Sequence, residues 1–198
     1  MKPGSKVVIV ALVAGLLGVV ASLLTTGPGP LLRTEFGQRL LGRALEAGAA
    51  PPPAGVEVAR RGERLPSLAL ADLAGQRTRL PDAYAGRPLL VNLWASWCGP
   101  CVQEMPELQR FAAQQGGNGV QVVGIALDDP AAVRDFLQRV PVGYPILLDT
   151  PGPADAGVRL GNPKGVLPYS ILVSADGRLL KQHIGPFAHG DLEDWTRP

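Results

Sequence analysis

Leu90-Val91-Asn92-Leu93-Trp94-Ala95-Ser96-Trp97-Cys98-Gly99-Pro100-Cys101 decides the fold of this chain. Pro88 leads into it, and Leu89 to Trp94 is a short apolar run of the kind that suits a strand buried on both faces. From Cys98 to Gln115 the period changes. Met105, Leu108 and Phe111 recur at helical spacing, and Gly116-Gly117 ends the pattern. Cys98 and Cys101 therefore stand where a buried strand gives way to a helix. A cysteine at a helix N-terminus faces unpaired backbone N–H groups and the positive end of the helix dipole, which favours the thiolate. Two intervening residues, Gly99 and Pro100, let the sulfurs bridge across the first turn, where proline's missing N–H is not needed. In this reading Cys98 is the attacking thiolate and Cys101, deeper in the helix, resolves the mixed disulfide. That exchange requires no metal and no cofactor.

The rest of the composition leaves the pair alone with this chemistry. The chain of 198 residues has two cysteines, both in this motif. No thiol remains for a structural disulfide or a four-ligand zinc site. The two histidines, His183 and His189, read as solvated C-terminal residues. A net charge of +2 without any block of like charge argues against nucleic acid as a partner.

Working outward, Ser67 to Leu73, ending in Ala74-Gly75-Gln76, predicts an N-terminal hairpin element. Val120 to Leu127 predicts a second buried strand. Pro130 marks a helix start, with Val133, Phe136, Leu137 and Val140 as its apolar stripe, and Pro145 to Asp149 a short strand. Tyr169 to Ser174 and Leu179 to Ile184 predict a hairpin closed by Asp176-Gly177. Asp191 to Arg197 has the length of a helix stub. Strand–helix alternation followed by a hairpin predicts an α/β fold with a mixed central sheet flanked by helices.

The N-terminus has another character. Lys2 and Lys6 precede an uncharged apolar run from Val7 to Leu24. As a helix it is roughly 27 Å long, close to a hydrocarbon core of about 30 Å. A cleaved signal peptide and an uncleaved signal anchor both fit; the length and the lack of a small-residue cleavage site favour the anchor. The flanking lysines predict a cytoplasmic N-terminus, with the body in the periplasm or on the outer face of a bacterial-type membrane. The expected organisation is an anchor at 1–26, a connector at 27–55 and a globular domain at 56–198. Within the connector, Gly27-Pro28-Gly29-Pro30 breaks the anchor helix. Leu32, Phe36, Leu40 and Leu45 then predict a short amphipathic helix, and Ala49-Ala50-Pro51-Pro52-Pro53 a stiff spacer.

The segment Leu90–Cys101 closely resembles the active-site region of membrane-anchored thioredoxin-like proteins of the TlpA/ResA type. Leu65-Pro66, Leu70 to Gly75, Val122 to Ala126 and Gly165 to Leu180 extend the resemblance over most of the body. It implies a thioredoxin-like fold with an N-terminal hairpin and a central helix–strand insert, placed at residues 130–149. It implies that Pro168 is the cis-proline facing the dithiol, and that Leu167 offers its backbone to an extended stretch of a partner protein. Asn92 stands where cytoplasmic thioredoxins carry a buried acid, a departure from them. Glu104, one turn after Cys101, matches an acidic residue of ResA-like members and is a candidate general acid–base for Cys101. Trp97 is expected to pack over an exposed Cys98 sulfur, and Trp94 to flank the site or serve the core.

The resemblance implies a thiol–disulfide oxidoreductase whose partners are protein disulfides, re-reduced by a membrane electron donor protein. Its expected pathway is cytochrome c maturation or metal-centre assembly. Two alternatives stand beside it. A peroxidase of the peroxiredoxin class would want Thr-x-x-Cys, where this chain has Ala95-Ser96-Trp97-Cys98. A non-catalytic assembly module would use the thioredoxin fold as a scaffold.

Overall fold

All six residues of the run Leu89–Trp94 are buried, and the strand they form lies within a seven-stranded sheet. The structure is a computed structural model and describes residues 34–197. The expected anchor at 7–24 and the Gly27–Pro30 break lie outside the described residues. Among the described residues no helix is long and apolar enough to cross a membrane.

The elements follow in chain order as α1 (Glu35–Ala47), β1 (Leu68–Asp72), β2 (Arg77–Leu80), a 3-10 turn (Asp82–Tyr84), β3 (Leu89–Trp94), α2 (Gly99–Gln114), β4 (Gln121–Leu127), α3 (Pro130–Arg139), β5 (Ile146–Asp149), α4 (Ala156–Arg159), β6 (Tyr169–Val173), β7 (Leu179–Ile184) and α5 (Asp191–Trp195). The sheet order is β2-β1-β5-β4-β3-β6-β7. Pairs β3–β4 and β4–β5 are parallel and the others antiparallel. The fold is thioredoxin-like: β1 and β2 form the N-terminal hairpin, and α3 with β5 is the central helix–strand insert. Asp129 caps α3, its Oδ1 accepting from the Ala131 and Ala132 amides, and Pro130 opens the helix without needing an N–H.

Chain division falls between Arg43 and Ala44. Taken by itself, α1 is the amphipathic helix the connector pattern predicts. Phe36 is 77 % and Leu40 60 % exposed on it.

Alternation along β3 divides the core of the body. Leu89, Val91 and Leu93 join Val123, Ile125 and Leu127 on one face, while Leu90 and Trp94 join Val122, Ala126 and the Met105, Leu108 and Phe111 row of α2 on the other. Full burial of a side chain such as Leu108 or Phe111 contributes about 1.5–3 kcal/mol. Trp94 is core, its ring 5.3 Å from that of Phe136. Gly124 on β4 is required by this packing. A Cβ there would lie 2.6 Å from Ile146 Cδ1, 3.1 Å from Trp94 Nε1 and 3.3 Å from Tyr144 Cε2.

The C-terminal segment overturns one expectation. His183 is 7 % exposed, not solvated. Its ring stacks on Phe187 at 4.1 Å and meets the edge of Trp195 at 6.0 Å. These two aromatics follow β7 and cover its polar-looking end. Burial holds the imidazole down at about 4, against the pull of the Pro186 backbone and Asp191. His189 keeps its predicted exposure, with Nδ1 3.0 Å from Glu107 Oε2.

Candidate active site

Cys98 is the N-cap of α2, and its Sγ accepts from the Cys101 amide at 3.3 Å. The two cysteines are joined as a disulfide, with Cα atoms 5.3 Å apart. Their order of access is the one read from the helix, with Cys98 5 % and Cys101 0 % exposed. The Cys98 sulfur is thus more covered than expected, and Trp97 does not lie buried against it: Trp97 is 71 % exposed. Gly99 and Pro100 are exposed too, so these three residues form the rim beside the disulfide.

The loop that delivers Cys98 is fastened from β4. The Ser96 amide and hydroxyl both donate to Asp128 Oδ2, at 2.8 and 2.6 Å. Burial works against the Asp128 charge, but the two Ser96 bonds together with the Asp129 amide outweigh it and hold this carboxyl below its ordinary range. Asp128 was not singled out in the sequence, because its partner lies 32 residues away.

Glu104 sits one turn beyond Cys101 and is 1 % exposed. Its Oε1 accepts from Asn92 Nδ2 at 2.8 Å and its Oε2 from the Phe187 amide at 3.0 Å. Burial raises it; the two bonds pull the other way, and the carboxyl comes to rest at about 7. Asn92 also donates to Ser170 Oγ at 3.0 Å. Strand β3 and the C-terminal segment thus converge on one carboxyl of α2, with β6 held to the same asparagine. A buried acid that titrates near neutrality can give or take a proton at neutral pH.

Glu107, on the same helix, does different work. It binds Arg110, His189 Nδ1 and the Gly190 amide, and Arg110 in turn meets Glu193. Arg110 above all holds the Glu107 carboxyl down at about 2. This cluster fastens the segment after β7 to α2.

Opposite the helix terminus, the Leu167–Pro168 bond is cis, as the resemblance implies. Leu167 packs against the apolar cluster that contains both cysteines. Asn162 braces this loop from within, an arrangement that no sequence motif announced.

A dithiol–disulfide pair capping a helix of a thioredoxin fold, over a buried acid, defines a thiol–disulfide oxidoreductase. The chain belongs to the Redoxin family, whose model matches residues 60–196. Within it the likeness is to proteins of the ResA and StoA type. The thiol-disulfide oxidoreductase ResA of Bacillus subtilis is 28 % identical over 143 residues, covering 72 % of this chain and 77 % of that one. The crystal structure of StoA from Bacillus subtilis aligns at 26 % identity with a TM-score of 0.54, over 67 % of this chain and 97 % of that one. A thioredoxin-related protein from Neisseria meningitidis serogroup B aligns at 34 % identity with a TM-score of 0.56, over 63 % and 93 %.

Proposed function

We propose that this oxidoreductase is a membrane-anchored, extracytoplasmic reductant of disulfides in partner proteins. The observation that carries the reading is the Cys98–Cys101 pair at the α2 N-terminus, with Glu104 buried one turn beyond it and its carboxyl raised by burial to about 7. In the reduced protein the Cys98 thiolate attacks a partner disulfide, forming a mixed disulfide and releasing one partner thiolate. Glu104 takes the proton from the Cys101 thiol. The Cys101 thiolate then attacks Cys98 Sγ, closing the 98–101 disulfide and releasing the second partner thiolate. The partner gains two electrons and the pair loses two. Trp97, Gly99 and Pro100 meet the partner, and Leu167 pairs with its extended backbone beside Pro168.

The run from Val7 to Leu24 serves as the anchor (1–26), with 27–55 as connector and 56–198 as the catalytic domain. Lys2 and Lys6 support a cytoplasmic N-terminus, with that domain in the periplasm or on the outer face. A reductant in an oxidising compartment needs electrons brought through the membrane, so a membrane donor protein is its second partner. The resemblance of Leu90–Cys101 to the TlpA/ResA type supports a place in cytochrome c maturation or metal-centre assembly.

The deciding experiment is the reduction potential, from equilibration in glutathione and dithiothreitol buffers. The expected value lies near that of thioredoxin, about −270 mV. A value near about −120 mV, that of a strong periplasmic oxidant, would reverse the direction proposed here.

A further inference from the structure

The loop before Pro168 contains a buried amide that imitates a strand. Asn162 is 3 % exposed. Its Nδ2 donates to the Val166 carbonyl at 2.9 Å, and its Oδ1 accepts from the Val166 amide at 3.1 Å. The Asn162 side chain thus takes up both backbone polar groups of one residue, as a neighbouring strand residue does in a hydrogen-bonded pair. The asparagine is itself fixed. Its amide donates to Gly157 O at 2.8 Å, and its carbonyl accepts from Gly165 N at 3.1 Å, closing an Asn162-Pro163-Lys164-Gly165 turn. A second brace, from Tyr169 Oη to Leu160 O at 3.0 Å, ties the two ends of the loop together.

The next residue is different. Among the described residues, neither the N–H nor the C=O of Leu167 makes a hydrogen bond. The residue before a proline is biased to extended backbone. Along extended backbone, the polar groups of successive residues point to opposite edges. Tying Val166 down on the inner edge therefore turns Leu167 outward.

We propose that Asn162 is a specificity-determining positioning residue: by occupying Val166 it turns the open backbone pair of Leu167 outward beside the cluster that holds both cysteines, and so fixes the register of the partner's extended segment. This rests on the pairing of Leu167 with the partner proposed above. Register matters because a slip of one residue turns every side chain of an added strand to the other face. Here it would carry the partner's cysteine away from Cys98. Without the Asn162 amide, nothing holds Val166 on the inner edge, and a rotation of the extended stretch can present its polar groups to the partner in place of those of Leu167, in competing register. The proposal predicts discrimination between substrates: a protein disulfide needs the register, whereas a small disulfide brings no strand to align.

The test compares the full-length protein with Asn162→Ala and Asn162→Asp. The second variant keeps the turn residue and the acceptor for Val166 N–H but loses the donor to its carbonyl. Reduction of insulin and of oxidised glutathione is followed for each. In Asn162→Ala, kcat/KM for insulin is expected to fall at least tenfold more than for glutathione disulfide, about the worth of one well-made hydrogen-bonded contact. The loss should sit in KM, with Asn162→Asp between. Equal losses on the two substrates, or none on insulin, would overturn the proposal. A further measurement separates it from the reading beneath it. A cysteine peptide is trapped on Cys98 in the Cys101→Ser background, and amide exchange at Leu167 is recorded. Leu167 exchange unslowed by the peptide with Asn162 intact means that the pairing itself is wrong. Equal protection of Leu167 with Asn162 intact and in the Asn162→Ala variant, together with unchanged insulin kinetics, means that only the role of Asn162 is wrong.

Discussion

Glu104 and His183 should make stability respond to pH in opposite directions, and removing either one should expose the other. The Glu104 carboxyl is raised from 4.5 to about 7 in the folded protein. Between those values the folded state keeps a proton that the unfolded chain has released, so its contribution falls as pH rises through the window. At about 1.4 kcal/mol per pH unit the displacement is worth about 3 kcal/mol. His183 is lowered from 6.5 to about 4. There the unfolded chain takes up a proton that the buried imidazole refuses, so stability rises with pH across that window, again by about 3 kcal/mol. The windows overlap from pH 4.5 to 6.5, and the unaltered protein should be nearly level there. Glu104→Gln should climb by up to about 3 kcal/mol over that range, and His183→Gln should fall by about as much between roughly pH 4.5 and 7. Urea unfolding with the disulfide intact, in half-unit steps at fixed ionic strength, reads both slopes. Starting at about pH 4.5 leaves the lowered carboxyls Glu107 and Asp128 ionised throughout. Profiles for both variants parallel to that of the parent protein would refute the reasoning.

Other perturbations give sharper local answers. Gly124→Ala forces a methyl to within 2.6 Å of Ile146 Cδ1; a loss of about 1–3 kcal/mol is expected, read as a lower urea midpoint at unchanged m-value. Asp128→Asn weakens the charge-assisted hold on Ser96. Insulin reduction should slow by roughly tenfold, and an unchanged rate would show that the Cys98 loop is rigid without it. Glu107→Gln loosens the tie between α2 and the segment at 188–193. Amide exchange at Phe187 and Gly190 should quicken by about tenfold, while exchange in β3 stays as it was.

The fold was legible wherever the signal was local. The apolar run at Leu89–Trp94, the period change after Cys98, the Asp176-Gly177 turn and the Pro130 helix start each carry their own physics within a few residues. The dithiol was legible for the same reason. What escaped depends on partners far along the chain. His183 lies in Leu179-Leu180-Lys181-Gln182-His183-Ile184, which has no buried pattern of its own; Phe187 and Trp195 cover it. Glu104 is a candidate acid through the resemblance, but its burial and its bond to the Phe187 amide, 83 residues on, are not written in the helix. Asn162 acts on backbone atoms, which leave no trace in the identity of the residues that carry them, and Asp128 acts on Ser96, 32 residues away.

The stretch from Gly185 to Trp195 gives the protein a second control point. It holds no cysteine and lies far downstream of Trp97-Cys98-Gly99-Pro100-Cys101. Yet its Phe187 amide pulls the Glu104 carboxyl down against the burial that raises it, and its Glu193 and His189 fasten the same segment through Arg110 and Glu107. If Glu104 serves Cys101 as proposed, variation there retunes the pH at which the dithiol resolves while Trp97-Cys98-Gly99-Pro100-Cys101 stays letter for letter the same. Two relatives with identical motifs can then differ in proton chemistry for reasons written far downstream of either cysteine.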